Sequence, residues 1–334
     1  MNPPLDAATD ADPDARMRDA SEHLPDAETF DASDAMVDSD TGSHDSAVDA
    51  TLDDDAGTPG PLRFHGLACR HYHCCAIDAD QALHCWGDNS LGQSEVPPGR
   101  FVSVSVGASH GCAIDTAQRV RCFGRTDLVA AQPLSGSFSE VAVDVGHACA
   151  LRADGSVLCW GDNTYGQLDA PSVPLRQVQT GRAASCGVTE DANVVCWGLT
   201  FDWILPSAKV TDVAIGGAAC ALTTVGEIVC LTLDFEQPWD TPPAGPFVAL
   251  ALGGYHACTL DAAGALRCFG EGTYGMEGSP ECDDSPDHQC GQANPPSGTF
   301  TEVAAGLLHT CAIRTDGSVV CFGVNNVGQL DAPQ

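Results

Sequence analysis

Cys149-Ala-Leu-Arg-Ala-Asp-Gly155-Ser-Val-Leu-Cys159-Trp-Gly161-Asp-Asn-Thr-Tyr-Gly-Gln167-Leu168 is the stretch that decides the fold. Residues of period two flank Ala153-Asp154-Gly155, the pattern of two strands joined by a tight turn. If those three residues form the loop, with Gly155 at positive φ, Cys149 lies directly opposite Cys159. Opposed Cα atoms of an antiparallel pair stand roughly 4.5–5.5 Å apart, inside the range of about 4.4–6.8 Å that a disulfide spans. The spacing therefore suits a cross-strand disulfide.

The same C-x9-C spacing joins Cys75 to Cys85, Cys112 to Cys122, Cys186 to Cys196, Cys220 to Cys230, Cys258 to Cys268 and Cys311 to Cys321. One disulfide per unit is expected at each. First cysteines follow one another at 37, 37, 37, 34, 38 and 53 residues, which reads as a repeat architecture. Eleven positions before the first cysteine stands Phe64, Phe101, Phe138, Phe247 or Phe300, with Leu175 and Lys209 as departures. Two positions before it stands His73, His110, His147, His256 or His309. The consensus is F-x-x-V-x-x-G-x-x-H-x-C-A-[IL]-x-x-D-G-x-V-x-C-W-G-x-N-x-x-G-Q-L, and a segment such as Phe138-Ser-Glu-Val-Ala-Val supplies a third strand to each unit. Gly226, Gly264 and Gly317 occupy the turn position of Gly155, whereas Gln81, Gln118 and Ala192 stand there at some strain. Each short cross-linked loop contributes about 2–3 kcal/mol, which suits a core with few aromatics.

This consensus resembles the regulator of chromosome condensation (RCC1) repeat, in the short bacterial form sometimes labelled a BNR-type repeat. Trp86-Gly-Asp-Asn-Ser-Leu-Gly-Gln93 and Phe322-Gly-Val-Asn-Asn-Val-Gly-Gln329 repeat its ending. The resemblance covers about residues 62–334 and implies an all-β, seven-bladed β-propeller of short antiparallel sheets. Units two, four and five lack the Gly-Gln ending. The eukaryotic repeats are longer, lack the cysteine pairs and serve nucleotide exchange on a nuclear GTPase at chromatin.

Charge argues against that role. The 334-residue chain carries 46 acidic and 14 basic residues, a net charge of −32, so phosphate backbones and anionic lipids repel it. No apolar run approaches the ~18 residues of a membrane helix, and no nucleic-acid partner is expected. Eighteen cysteines suit an oxidising compartment rather than the cytosol. Residues 1–60 hold 17 acidic residues, one aromatic (Phe30) and no cysteine; a segment this polar reads as a disordered acidic tail preceding a 61–334 propeller. Met1-Asn-Pro-Pro has neither the basic start nor the apolar core of a signal peptide, so an extracytoplasmic chain implies a start further upstream or prior trimming.

The aligned histidines lie in a ring rather than a cluster, which points to a structural role in bonding turn backbone. His71-Tyr-His73-Cys74-Cys75 has the look of a zinc motif, but Cys75 and His73 belong to the repeat, which leaves Cys69 to pair with Cys74. The long sixth interval carries an insertion at about 270–296, in which Cys282 and Cys290 form a third kind of pair around Asp283, Asp284, Asp287 and His288. Its bland reading is a stapled surface loop; its sharper one is a recognition loop. Trp203 and Trp239, in loops after units four and five, join Tyr274 and the insertion in a candidate partner-binding patch. No catalytic residue, metal or cofactor is assigned. The function expected is a non-enzymatic, extracytoplasmic propeller, secreted or tethered to the cell envelope, that as a monomer binds a protein or envelope component through its loops. A propeller hydrolase or lyase acting on glycans or peptides is the alternative, and guanine nucleotide exchange comes third. An enzyme should concentrate polar groups in the central channel; a binder should show apolar residues on the rim.

Overall fold

Each repeat folds into a three-stranded antiparallel sheet because its three period-two stretches are separated by turns too short for any other connection. A computed structural model of the protein describes residues 62–125, 134, 136–199, 207–230, 242–271 and 290–334. The 1–60 tail and most of the insertion, with Trp203, Trp239, Tyr274, Cys282, Asp283, Asp284, Asp287 and His288, lie outside the described residues. The expected pairing of Cys282 with Cys290 lies outside them too, although Cys290 itself is described and buried.

Blade 1 consists of β1 (Phe64–Arg70), β2 (His73–Asp78) and β3 (Leu83–Gly87), and blade 2 of β4 (Phe101–Val106), β5 (His110–Asp115) and β6 (Val120–Gly124). Blade 3 is β7 (Phe138–Val143), β8 (His147–Arg152) and β9 (Val157–Gly161); blade 4 is β10 (Leu175–Thr180), β11 (Ala184–Thr189) and β12 (Val194–Gly198). Blade 5 is β13 (Val210–Ile215), β14 (Ala219–Thr223) and β15 (Ile228–Cys230), and blade 6 is β16 (Phe247–Leu252), β17 (His256–Asp261) and β18 (Leu266–Gly270). Blade 7 is β19 (Phe300–Ala305), β20 (His309–Arg314) and β21 (Val319–Gly323). The first strand of every blade contacts the first strand of the next, and β19 contacts β1, so the seven sheets close a ring. This is an all-β propeller of seven blades among the described residues. Each sheet is drawn from one continuous segment, so repeat boundaries and blade boundaries coincide.

In every blade the two repeat cysteines face one another across the second and third strands, as Cys149 does Cys159. All seven are bonded as the spacing predicts. Cys75 joins Cys85, Cys112 joins Cys122, Cys149 joins Cys159 and Cys186 joins Cys196. Cys220 joins Cys230, Cys258 joins Cys268 and Cys311 joins Cys321. The two members of a pair differ in burial. Cys112, Cys186 and Cys258, on second strands, are fully buried, whereas Cys122, Cys196 and Cys268, on third strands, are only half-buried. An eighth bond joins Cys69 to Cys74. Multiple disulfides point to an oxidising, extracellular environment. The turn at 153–155 is closed by Gly155 N–H donating to Arg152 O and Arg152 N–H to Ser156 O, both at 2.9 Å. Gly155 has φ of 80°, and Gln81, Gln118 and Ala192 take the same left-handed conformation at 68°, 60° and 62°, which costs each of them about 1–3 kcal/mol.

The second strands begin two residues earlier than the cysteine pattern marks, at the histidine. His147 pairs with Gly161, extending the ladder to the end of the third strand. In blade 5 the residue equivalent to Phe138 is Val210 rather than Lys209: Val210 pairs with Thr223 as Phe138 pairs with Arg152. The first strand of that blade is one residue closer to its cysteine, which displaces the alignment. The core lies between blades rather than at one centre. Ile114 of blade 2 packs with Phe138 and Val141 of blade 3, and the same interleaving recurs around the ring. Burying each such side chain contributes about 1.5–3 kcal/mol.

Candidate functional site

The turn between first and second strands carries glycine in five blades: Gly107, Gly181, Gly216, Gly253 and Gly306. At two of them the turn of the next blade comes very close: a Cβ on Gly107 would stand 2.3 Å from Asp144 O and one on Gly253 2.4 Å from Gly306 O, with the imidazoles of His110 and His256 next nearest. In the two remaining blades the position holds Arg70 and Asp144, and these two residues pair across the ring. Arg70 forms an ion pair with Asp144, which is 1% exposed, and donates from Nη1 to Ile215 O at 2.6 Å. One side chain of blade 1 thus bridges to blades 3 and 5. Backbone bonds complete the constriction: Gly217 N–H donates to Gly253 O at 2.8 Å, Gly254 to Gly306 O at 3.2 Å and Leu307 to His71 O at 2.8 Å. The alignment column carried this signal, since Arg70 and Asp144 are its only charged members, but sequence reasoning passed over them.

The sequence leads one to expect these histidines to bond turn backbone, but three of them reach the neighbouring blade instead. His147 Nε2 lies 2.8 Å from Ser185 Oγ, His256 Nε2 2.6 Å from Thr310 Oγ1, and His309 Nε2 3.1 Å from Cys74 Sγ. Each partner immediately precedes the first repeat cysteine of the next blade. Blades 4 and 5 have alanine at the histidine position (Ala184 and Ala218), and the facing residues, Ala219 and Ala257, are alanines too. The residue before the first repeat cysteine of blade 2 is Gly111, which has no side chain to offer, and His73 has no hydrogen-bond partner on either ring nitrogen among the described residues. Burial pushes His73 down to about 4 and both His256 and His309 down to about 3.

The first strands surround a cavity of about 300 Å³, lined among others by Glu140, Gln177 and Asp212. These polar groups stitch blades together. Glu140 accepts from Val178 N–H at 3.4 Å, Gln177 Oε1 from Val213 N–H at 3.2 Å, and Gln177 Nε2 donates to Asp212. Glu302 accepts from Gly66 and Leu67 N–H at 3.1 and 2.9 Å across the junction of blades 7 and 1. Burial pushes the Glu140 carboxyl up to about 8, with Asp212 adding to the effect and Val178 N–H opposing it; Asp212 is raised as well, chiefly by burial. Glu140 borders the cavity and is half-buried. Its folded-state pKa exceeds the ordinary 4.5, so the native protein holds a proton that the unfolded chain releases. The stability this supplies is complete below about 4.5 and declines as pH rises to about 8, by up to about 1.4 kcal/mol per pH unit. Glu140→Gln keeps the acceptor and removes the titration. Its melting temperature at pH 8 should exceed that of the unaltered protein, with the two converging at pH 5.

Third strands end at the same face of the ring as first strands, since Gly161 pairs with His147. The loops that follow them therefore leave from the Arg70–Asp144 face. In the Gly-Gln loops a buried glutamine folds the chain back on itself: Gln93, Gln167 and Gln329 accept from Leu91, Tyr165 and Val327 N–H at 2.8, 2.8 and 2.9 Å. Gln292 does the same for Cys290 N–H at 2.9 Å, so the insertion rejoins the repeat at Gly291-Gln292. The loops cap the next blade. Trp86 Nε1 donates to Gln329 O at 3.1 Å and Trp197 Nε1 to Gln167 O at 2.9 Å. Trp160 follows a unit without that ending, and its Nε1 has no partner among the described residues. Folding back leaves the apolar residue two before each glutamine outside: Leu91, Tyr165 and Val327 are 48%, 51% and 42% exposed. Sequence reasoning missed these three, although their shared place before Gly-Gln marks them. In the sequence Trp203, Trp239 and Tyr274 follow β12, β15 and β18, and they lie outside the described residues.

The profile of the regulator of chromosome condensation (RCC1) repeat matches residues 67–93, 144–167 and 300–329. No curated protein matches the sequence significantly. The fold is similar to the CRINKLY WD40 ectodomain of the Arabidopsis thaliana receptor kinase ACR4, at 22% identity and a TM-score of 0.63 over 80% of this chain and 99% of that one. It is likewise similar to the ectodomain of the Physcomitrella patens receptor kinase CR4, at 20% identity and a TM-score of 0.62 over 78% and 73% of the two chains. Among the described residues no helix is long and apolar enough to cross a membrane. The chain carries RCC1 repeats in three places, and its described residues form a seven-bladed propeller.

Proposed function

We propose that the protein is a non-enzymatic, extracytoplasmic scaffold that binds a protein or envelope component through the loops on its Arg70–Asp144 face. The observation that carries this reading is the set Leu91, Tyr165 and Val327, three apolar side chains exposed at one loop position on one face. Exposed apolar and aromatic side chains on rigid loops supply contact area at low entropic cost. The channel carboxylates and amide, by contrast, are engaged in holding blades together. Trp203, Trp239, Tyr274 and the acidic run Asp283, Asp284, Asp287 and His288 extend the proposed patch over blades 4 to 6. Two plant receptor ectodomains of the same fold make extracellular recognition a precedent for it. The tail at 1–60 would hold the propeller away from a cell surface.

The test is capture by the immobilised protein from native envelope extract and culture medium. Leu91→Ser/Tyr165→Ser/Val327→Ser and, separately, Trp203→Ala/Trp239→Ala should each lose the captured species by at least about tenfold, the scale of one or two interface anchors. Val225→Ser is the control, because Val225 is 66% exposed in a turn on the opposite face, and it should bind normally. Equal capture by all variants, or equal loss, would remove the proposed face. The hydrolase or lyase reading has one observation in its favour, the raised Glu140 and Asp212 carboxyls beside the cavity. Turnover of a glycan or peptide that Glu140→Gln abolishes would establish it instead.

A further inference from the structure

Blade 1 carries one cystine more than the repeat requires. Cys69–Cys74 joins β1 to β2 beside the repeat cystine Cys75–Cys85. It lies where the first blade meets the last. Cys74 Sγ stands 3.5 Å from Cys311 Sγ of the Cys311–Cys321 cystine, and His309 Nε2 stands 3.1 Å from Cys74 Sγ. Ligand atoms of Cys69, Cys74, His309 and Cys311 lie within 4.8 Å of one another, a zinc-like constellation. Its three sulfurs are already spent in disulfides, however, and offer no thiolate. The sequence motif His71-Tyr-His73-Cys74 is resolved differently as well: the imidazole beside Cys74 comes from His309, in another blade.

The seam has a second property. Cys74, Cys311 and His309 are fully buried, whereas Cys69 and Cys321 are partly exposed. A thiol that opens the Cys69–Cys74 bond at Cys69, its less buried half, displaces Cys74, the sulfur already in contact with Cys311. We propose that this seam is a thiol-triggered disulfide-exchange site, at which a low-molecular-weight thiol converts two cystines within blades into a Cys74–Cys311 bond between the first and last blades.

The steps balance. The thiolate RS− attacks Cys69 Sγ, the Cys69–Cys74 bond breaks, and Cys74 leaves as a thiolate beside the Nε2–H tautomer of His309. That thiolate attacks Cys311 Sγ, the Cys311–Cys321 bond breaks, and Cys321 leaves as a thiolate that takes a proton from solvent. One thiol is consumed and one, Cys321, is produced, so this stage involves no net reduction. A second thiol then releases RSSR from the Cys69 mixed disulfide and leaves the Cys69 thiol, for a net transfer of two electrons from two RSH. The first and last blades, otherwise joined only by non-covalent contacts, become covalently linked.

The experiment treats the full-length oxidised protein with reduced glutathione, quenches with iodoacetamide, and maps linked peptides without reduction by mass spectrometry. The expected result is a gain of the Cys74–Cys311 pair, loss of the Cys311–Cys321 pair, an alkyl group on Cys321, and glutathione or an alkyl group on Cys69. Alkyl groups on both Cys69 and Cys74 with Cys311–Cys321 intact would overturn the proposal. Cys69→Ser supplies an independent arm, since it leaves Cys74 as a thiol with no added reductant. Most of that variant should carry the Cys74–Cys311 bond and an alkylated Cys321; retention of Cys311–Cys321 beside an alkylated Cys74 would overturn the proposal there too. Neither readout depends on any binding partner.

Discussion

Arg70→Met should lower the stability of the oxidised protein by about 3–5 kcal/mol, measured by chemical denaturation with the disulfides intact. The magnitude follows from what the guanidinium leaves behind. Asp144 is 1% exposed and the described hydrogen bonds to its carboxylate come from Arg70, so removing the cation strands a buried carboxylate, a change that costs about 3–5 kcal/mol in comparable pairs. Ile215 O loses its donor at the same time. Arg70→Gly/Asp144→Gly restores the residue that five other blades use at this position, removes both charges, and should therefore lose less than Arg70→Met alone. That non-additivity is the signature of a coupled pair. A double variant no better than the sum of its parts would show that Arg70 acts through packing and not through Asp144.

Acid should unfold the protein well above the ordinary carboxylate range. His73, His256 and His309 are fully buried, and burial holds them at about 4, 3 and 3 against an ordinary 6.5. Their folded pKa values are depressed, so between about 6.5 and 4 the unfolded chain takes up protons that the native ring refuses. The stability these groups confer is present above 6.5 and is lost as pH falls. Each contributes a slope of up to about 1.4 kcal/mol per pH unit, and three together reach about 4 kcal/mol per unit. Glu140 and Asp212, whose carboxyls are raised, run the other way and gain stability as pH falls, but they are two groups against three. Against a usual margin of about 5–15 kcal/mol, the melting temperature should fall steeply from pH 6.5 to 4.5. His256→Gln/His309→Gln should flatten that fall; an unchanged slope would mean that the imidazoles titrate with ready access to water.

The blade was legible because its determinants are local. Cys149 and Cys159 are fixed by a three-residue loop, and Gly155 by the sign of φ that the loop demands. Count and period followed from seven such loops. What could not be read was contact between repeats. The partner of His147 is set by which residue of blade 4 stands before Cys186, and nothing within the blade 3 segment names Ser185. Arg70 and Asp144 stand 74 residues apart and meet only because the five other blades hold glycine at this turn and leave the axis open. Lys209 misled for a related reason: a one-residue shortening of blade 5 preserves the sheet through Val210 while breaking the column. The exposed apolar residues were visible as letters, but their exposure depends on Gln93, Gln167 and Gln329 folding back, a tertiary effect.

Every sheet is woven from a single uninterrupted stretch of chain and clipped by its own cystine. No strand is exchanged between the two ends of the polypeptide, so the ring has no obligatory starting point. Topologically, the order in which the modules are threaded is neutral: a permuted chain, opened between any two sheets and joined across the Gln329–Trp86 overlap, encloses the same axis. Gain or loss of a whole module costs only the refitting of its two neighbours, which makes duplication of such a gene segment a short path to new surface.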